Sequence, residues 1–189
     1  MKKIMSLFVR DYVGIYDKTR DYLVRDGITP GAEWVANGEG VATRKYDGTC
    51  CMVLDGKLFK RYDAKWGKTP PAGFQPAQDL IDGHRTGWVP VMDVPQDRWH
   101  RLAFTGKEPN GTYELCGPKV RNNPENFPEH VLVPHGADVW SYVPRTFSEL
   151  RHYLYITDIE GIVWHHRDGR MVKIKGKDFG SLRGAGVSE

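Results

Sequence analysis

The apolar positions of the chain change their period several times, and each change marks an element. Between Val41 and Phe59, short runs of apolar residues are broken at Asp47-Gly48 and Asp55-Gly56. That pattern predicts a strand, a turn, a second strand through Cys51-Met52-Val53-Leu54, a hairpin turn and a third strand through Lys57-Leu58-Phe59, with Lys45 at a strand end. Residues 1–40 carry turn signals at Asp26-Gly27, Thr29-Pro30-Gly31 and Asn37-Gly38, and predict short strands and turns. Residues 64–110 are rich in Pro, Gly and Trp with little periodicity, and predict loop mixed with strand. Helical spacing emerges at 146–155, where Thr146 as N-cap faces Glu149 and where Phe147, Leu150 and Leu154 form a stripe suited to packing on a sheet. From Ile159 the period returns to two. Ile162-Val163-Trp164-His165 turns through Arg167-Asp168-Gly169-Arg170 into Met171-Val172-Lys173-Ile174-Lys175, which predicts a hairpin. The expected fold class is α+β, with mainly antiparallel sheets and flanking helices.

Length and composition narrow this picture. A chain of 189 residues supports one well-buried core better than two domains of roughly 100–150 residues each, so a single domain over residues 1–189 is expected. With 40% apolar and 27% charged residues the chain reads as globular. Its apolar runs fall short of the roughly 18 residues of a membrane span, and Met-Lys-Lys-Ile-Met-Ser-Leu-Phe-Val-Arg lacks the apolar stretch of a secretory signal. A cytoplasmic protein with no membrane association and no obligate protein partner is the expectation. Cys50, Cys51 and Cys116 form no CxxC pair and leave an odd thiol. They are expected to be reduced and packed as small apolar residues, without a zinc site.

A net charge of +3 does not by itself identify a nucleic-acid binder. Its distribution says more. Between Val41 and Thr69 seven basic residues (Arg44, Lys45, Lys57, Lys60, Arg61, Lys65 and Lys68) stand against Asp47, Asp55 and Asp63, a balance suited to a polyphosphate or an RNA end. Inside this stretch lies Lys45-Tyr46-Asp47-Gly48. A protonated lysine is a poor nucleophile, so a reactive one needs neighbours that depress its pKa or align its partner. Lys60-Arg61, Tyr113-Glu114-Leu115-Cys116-Gly117, Glu160-Gly161-Ile162-Val163 and Lys173-Ile174-Lys175 offer such groups. Strand alternation places Lys173 and Lys175 on one face and Val172 and Ile174 on the other. Two lysines facing inward require an anionic partner.

The order and spacing of these five segments resemble the covalent nucleotidyltransferases, the superfamily of polynucleotide ligases and mRNA capping guanylyltransferases. The runs Ala42-Thr43-Arg44-Lys45-Tyr46-Asp47-Gly48-Thr49-Cys50-Cys51, Gly111-Thr112-Tyr113-Glu114-Leu115-Cys116-Gly117-Pro118-Lys119 and Glu160-Gly161-Ile162-Val163-Trp164-His165-His166 are most similar to small single-domain ATP-dependent RNA ligases. The resemblance implies a ligase-type adenylyltransferase domain and an enzyme that joins RNA 5′-phosphate and 3′-hydroxyl ends through AMP carried covalently on Lys45. It implies ATP as cosubstrate and Mg2+ or Mn2+ as the metal. Lys173 and Lys175 would contact the α-phosphate region and lower the pKa of Lys45. Glu160 and Asp47 would serve the metal, and Asp47 would also position the lysine. Arg61 and Glu114 would bind the ribose hydroxyls and nearby phosphate, while the backbone of Arg44 and an apolar side chain within 131–142 would contact adenine.

Two rivals follow from the same residues. Capping guanylyltransferases and DNA ligases share the motifs but normally continue into an OB-fold, and only fourteen residues follow Lys175. No OB-fold is therefore expected, and the orientation of pyrophosphate is left to Arg44, Lys57, Lys60, Lys119, Arg121 or Lys177. The other rival is a non-catalytic module that binds nucleotides or RNA ends, which would not need the nucleophile. Gly48 and Gly161 are expected to serve backbone conformation, His165 and His166 to be structural, and His135 is left open.

Overall fold

The computed structural model describes residues 3–16, 19–65, 67–77 and 84–180; residues 181–189, the end of the expected domain, lie outside them. In chain order the strands are β1 (Met5–Ser6), β2 (Phe8–Tyr16), β3 (Thr19–Ile28), β4 (Val41–Lys45), β5 (Thr49–Leu54) and β6 (Lys57–Lys65). There follow β7 (Gln75–Pro76), β8 (His84–Pro90), β9 (Gly111–Cys116), β10 (Val131–Pro134), β11 (Gly161–His165) and β12 (Met171–Lys175). The α-helices are α1 (Glu33–Ala36), α2 (Arg98–Ala103) and α3 (Phe147–Thr157). The class is α+β and the sheets are mostly antiparallel, as the pattern predicts. No helix among the described residues is long and apolar enough to cross a membrane.

Two compact units make up the chain. The first contains Ile4–Lys45 and the residues from Gly136 onward, and the second contains Tyr46–His135. In the first unit, a four-stranded sheet has the order β1-β12-β11-β4, with β11 antiparallel to both β12 and β4 and β1 parallel to β12. One face of this sheet buries Ile162, Trp164, Val172 and Ile174 against Leu150 and Leu154 of α3. The α3 stripe thus packs on the sheet as its spacing predicts. Thr146 takes the extended N-cap conformation, but its hydroxyl donates to the Glu149 carboxylate at 2.5 Å instead of closing a capping box on the backbone. At the other end Asp158 adopts a left-handed conformation, φ 48°, which stops the helix two residues before Glu160.

Residues 1–40 depart from expectation. In place of several short strands, β2 and β3 form one long antiparallel ribbon. Adjacent charged pairs, Arg10-Asp11, Arg20-Asp21 and Arg25-Asp26, interrupt the sequence so that no apolar period of two announces it.

The second unit holds a six-stranded sheet of order β10-β9-β5-β6-β8-β7. Its core places Cys51, Val53, Tyr113 and Leu115 on the buried face with Leu58, Ala103 and Val120. Asp55 and Gly56, both at positive φ, make the predicted β5–β6 hairpin turn. Asp47-Gly48 is different. It does not fold β4 back on β5, since β4 pairs with β11 and β5 pairs with β9. Gly48 is required by proximity: a Cβ there would lie 2.2 Å from the Leu115 carbonyl oxygen. Neither Gly48 nor Gly161 has a left-handed φ, so both are space requirements and not turn geometry.

At Gly161 a Cβ would meet the Ile174 carbonyl oxygen at 2.1 Å. Because that obstacle is backbone of a paired strand, Gly161→Ala should lose roughly 1–3 kcal/mol of unfolding free energy. Urea titration of both proteins checks this, and an unchanged midpoint would contradict the packing described.

Candidate active site

Three strands of the first unit converge on one acidic residue. Gly161, the first residue of the central strand β11, is paired with Lys45 of β4 on one side and with Lys175 of β12 on the other. Glu160 directly precedes it. Its carboxylate receives the Lys45 amine through Oε2 and the Lys175 amine through Oε1, the latter at 2.8 Å. Its backbone carbonyl accepts the Gly176 N–H at 3.0 Å, anchoring the segment from the far side. All three side chains are mostly covered, at 20% exposure for Lys45, 18% for Lys175 and 10% for Glu160.

The alternation of β12 brings in a third cation. Val172 and Ile174 are buried in the core, while Lys173 and Lys175 lie on the opposite face, as the sequence predicts. Lys173 pairs with Val163. Burial pulls its amine from 10.5 down to about 8, helped by the positive charges of Lys175 and Lys45 and opposed by Asp178 and Glu160. Burial also acts to raise the pKa of Glu160, but Lys45 and Lys175 override it and hold the carboxyl below its usual range. The cluster therefore gathers three lysines around Glu160, with Asp178 a further anion acting on Lys173. Three amines on one face suit a phosphate group, whose oxygens accept hydrogen bonds from them. Both Glu160 oxygens are engaged, by Lys45 and Lys175, so a divalent cation at Glu160 would need further ligands such as phosphate oxygens.

Other residues singled out in the sequence have identifiable positions. The Arg44 backbone N–H is bonded to the Asp138 carbonyl oxygen, so that donor is committed within the first unit. In the 131–142 stretch, Val139 bridges to Thr43 and is 57% exposed, whereas Trp140 packs on Tyr153. Thr43 donates to the Val163 carbonyl oxygen and sits 3.0 Å from His165 Nε2. His166 instead contacts Glu39, Asp168 and the Trp34 ring.

Asp47, Arg61 and Glu114 belong to the second unit. Asp47 accepts from Arg121 at 3.4 Å, and its N–H donates to Glu125. Arg61 lies over the Trp88 ring. Glu114 accepts from the Gly48 N–H at 3.1 Å through Oε1 and lies 2.9 Å from His135 Nε2 through Oε2. Lys60, a candidate for pyrophosphate, is committed to a structural role: its amine pairs with Asp97, which is 1% exposed and also accepts the Met92 N–H. Burial favours the protonated form of Asp97, yet Lys60 and the Met92 N–H keep its pKa low. Asp97, Glu125 and the His135 contact were not predicted. Each pairs residues at least 21 positions apart, and local periodicity carries no record of such pairs.

Comparison with known proteins places this geometry in context. Residues 106–183 match the family model for RNA ligase 1, a stretch that includes Glu114, Glu160, Lys173 and Lys175. The chain is similar to RNA ligase 1 of Rattus norvegicus and of Mus musculus, at 27% identity over 71% of this chain in each case, and of Danio rerio, at 28% over 70%. The match spans 65% of the length of these relatives.

The depressed Lys173 amine has a thermodynamic consequence. Since its folded pKa lies below 10.5, the unfolded chain binds more proton between about pH 8 and 10.5, and this group makes the folded state more stable as pH rises through that window. Lys173→Met should therefore be more stable than the parent below pH 8, with the difference shrinking toward pH 10. Denaturant unfolding of the pair at pH 7, 8.5 and 10 provides the check. A pH-independent difference would mean that Lys173 is not strained by burial.

Proposed function

We propose that this chain, which is similar to RNA ligase 1 proteins, joins RNA 5′-phosphate and 3′-hydroxyl ends with ATP, by way of AMP carried on Lys45. The observation that supports this reading best is the contact of the Lys45 amine with Glu160 beside Lys175 and Lys173. Three lysine amines gathered with Glu160, and with Asp178 acting on Lys173, make a face suited to binding an anion.

The proposed sequence has three transfers. Lys45 Nζ, once deprotonated, forms a bond to the α-phosphorus of ATP as the bond to pyrophosphate breaks; the pyrophosphate leaves with the electron pair. The AMP then passes to an RNA 5′-phosphate oxygen, which returns the Lys45 amine. Finally a 3′-hydroxyl attacks that 5′-phosphate, losing its proton, and AMP departs. In each transfer charge neutralisation and alignment are the main needs. Glu160 is suited to orient the Lys45 amine and Lys175 and Lys173 to neutralise phosphate oxygens. By resemblance, Glu160 and Asp47 are the carboxylates that would serve a divalent metal, which would supply further charge neutralisation when bound. Arg61 and Glu114 are assigned the ribose hydroxyls and nearby phosphate by resemblance, and Arg44, Lys57, Lys119, Arg121 and Lys177 remain candidates for pyrophosphate.

Sealing of a 5′-phosphorylated RNA strand by the purified protein with ATP and magnesium tests the proposal. Lys45→Ala should abolish joined product, and Glu160→Ala or Lys175→Ala should slow it by at least about a hundredfold while leaving a folded protein. Full sealing by folded Lys45→Ala would remove the mechanism, and incorporation from GTP instead of ATP would favour a capping-type transfer. Absence of sealing and of any nucleotide transfer in the parent protein would favour the binding-module reading.

A further inference from the structure

The second unit carries a donor set that the ligase chemistry does not use as a set. Cys50 of β5 lies directly across from Glu114 of β9. The next strand extends the same row: Val133 of β10 pairs with Glu114, and the His135 N–H bonds to the Thr112 carbonyl oxygen. Residues two apart on a strand share a face, so the register gathers Cys50, Glu114 and His135 on the face opposite Cys51, Tyr113 and Leu115. One ligand atom from each of the three lies within 4.8 Å of the other two.

We propose that Cys50, Glu114 and His135 form a three-ligand site for a zinc-class divalent cation, with a fourth position open to water or an exogenous ligand. The donor chemistry selects the metal. A thiolate, an imidazole nitrogen and a carboxylate oxygen suit zinc, whereas magnesium and calcium take oxygen alone. Around zinc such ligand atoms lie about 3.2–3.7 Å apart, so the 2.9 Å separation of His135 Nε2 and Glu114 Oε2 needs to open by only a few tenths of an ångström. The second shell is partly built. Glu114 Oε1 is fixed by the Gly48 N–H, which leaves Oε2 to the metal. His135 Nε2 donates to Glu114 Oε2 in the metal-free protein, so on metal binding that proton leaves to solvent or shifts to the buried Nδ1 as Nε2 becomes a ligand. Partial exposure of Cys50 and His135 provides entry. On binding, the Cys50 thiol proton goes to solvent as the sulfur becomes a ligand. The site also gives Cys50 a role beyond the packing expected from composition.

A consequence rests on the proposed function: if Glu114 serves the ribose, the metal withdraws that carboxylate from ATP, and zinc antagonises nucleotide binding. Cobalt(II) titration of the full-length, reduced, metal-free protein tests the site directly, since a cobalt–thiolate bond gives a charge-transfer absorption that oxygen and nitrogen ligands do not. One equivalent should bind with that band and be displaced by zinc. Cys50→Ser should lose the band, and His135→Ala should weaken binding by at least about tenfold. Cys51→Ala, on the opposite face, should retain both. Circular dichroism establishes that the variants fold. No thiolate band in the parent, or a band that survives Cys50→Ser, overturns the site. An intact site whose affinity is indifferent to ATP upholds the metal centre and separates it from the nucleotide reading, which is judged on sealing.

Discussion

Glu160 engages Lys45 and Lys175 beside Lys173 on the face of a small sheet, and much of the first unit is arranged to hold it there. Glu160 can reach Lys45 and Lys175 together because β11 is the central strand, with Gly161 in register with both lysines. That register requires a residue without a Cβ, since the Ile174 carbonyl oxygen occupies the space. Leu150 and Leu154 of α3 press on the other face through Ile162, Trp164 and Ile174. The left-handed Asp158 ends α3 so that the chain enters β11 almost at once. Apolar packing on one face thus sets the position of charge on the other.

Charge arithmetic then links structure to chemistry. A lone surface Lys–Glu pair contributes about 0–1 kcal/mol and says little about function. Here the groups are largely covered, three lysines share the face with Glu160, and burial brings the Lys173 amine down to about 8. Perturbed, partly buried amines of this kind are the groups that the proposed phosphate binding would use. The proposed transfer of AMP to Lys45 is a reaction in which a phosphate arrives and leaves.

Local signals in the sequence were sufficient for some elements and silent on others. The α3 stripe, the Asp55-Gly56 turn, the β11–β12 hairpin and the shared face of Lys173 and Lys175 are all encoded within a few residues, so period and turn chemistry revealed them. The partnership of β4 with β11 joins residues more than a hundred positions apart, and Asp47-Gly48 reads locally as a hairpin turn although the flanking strands enter different sheets. Lys60 shows the same limit. Its place beside Arg61 suggested phosphate, while its actual partner, Asp97, lies in a 3-10 turn that the weakly patterned 64–110 segment concealed. The Cys50, Glu114 and His135 cluster depends on the registers of three strands at once, which no spacing along the chain reports.

Nucleotide transfer to Lys45 is the claim on which the functional account stands. Intact-mass analysis of the denatured protein, after incubation with magnesium and either ATP or GTP labelled at the α-phosphate, addresses it most directly. The account predicts one AMP per chain from ATP alone, with the adduct mapped to Lys45 and missing from Lys45→Ala. An adduct that persists in Lys45→Ala, or no adduct with either nucleotide from protein shown to be free of AMP beforehand, would contradict it.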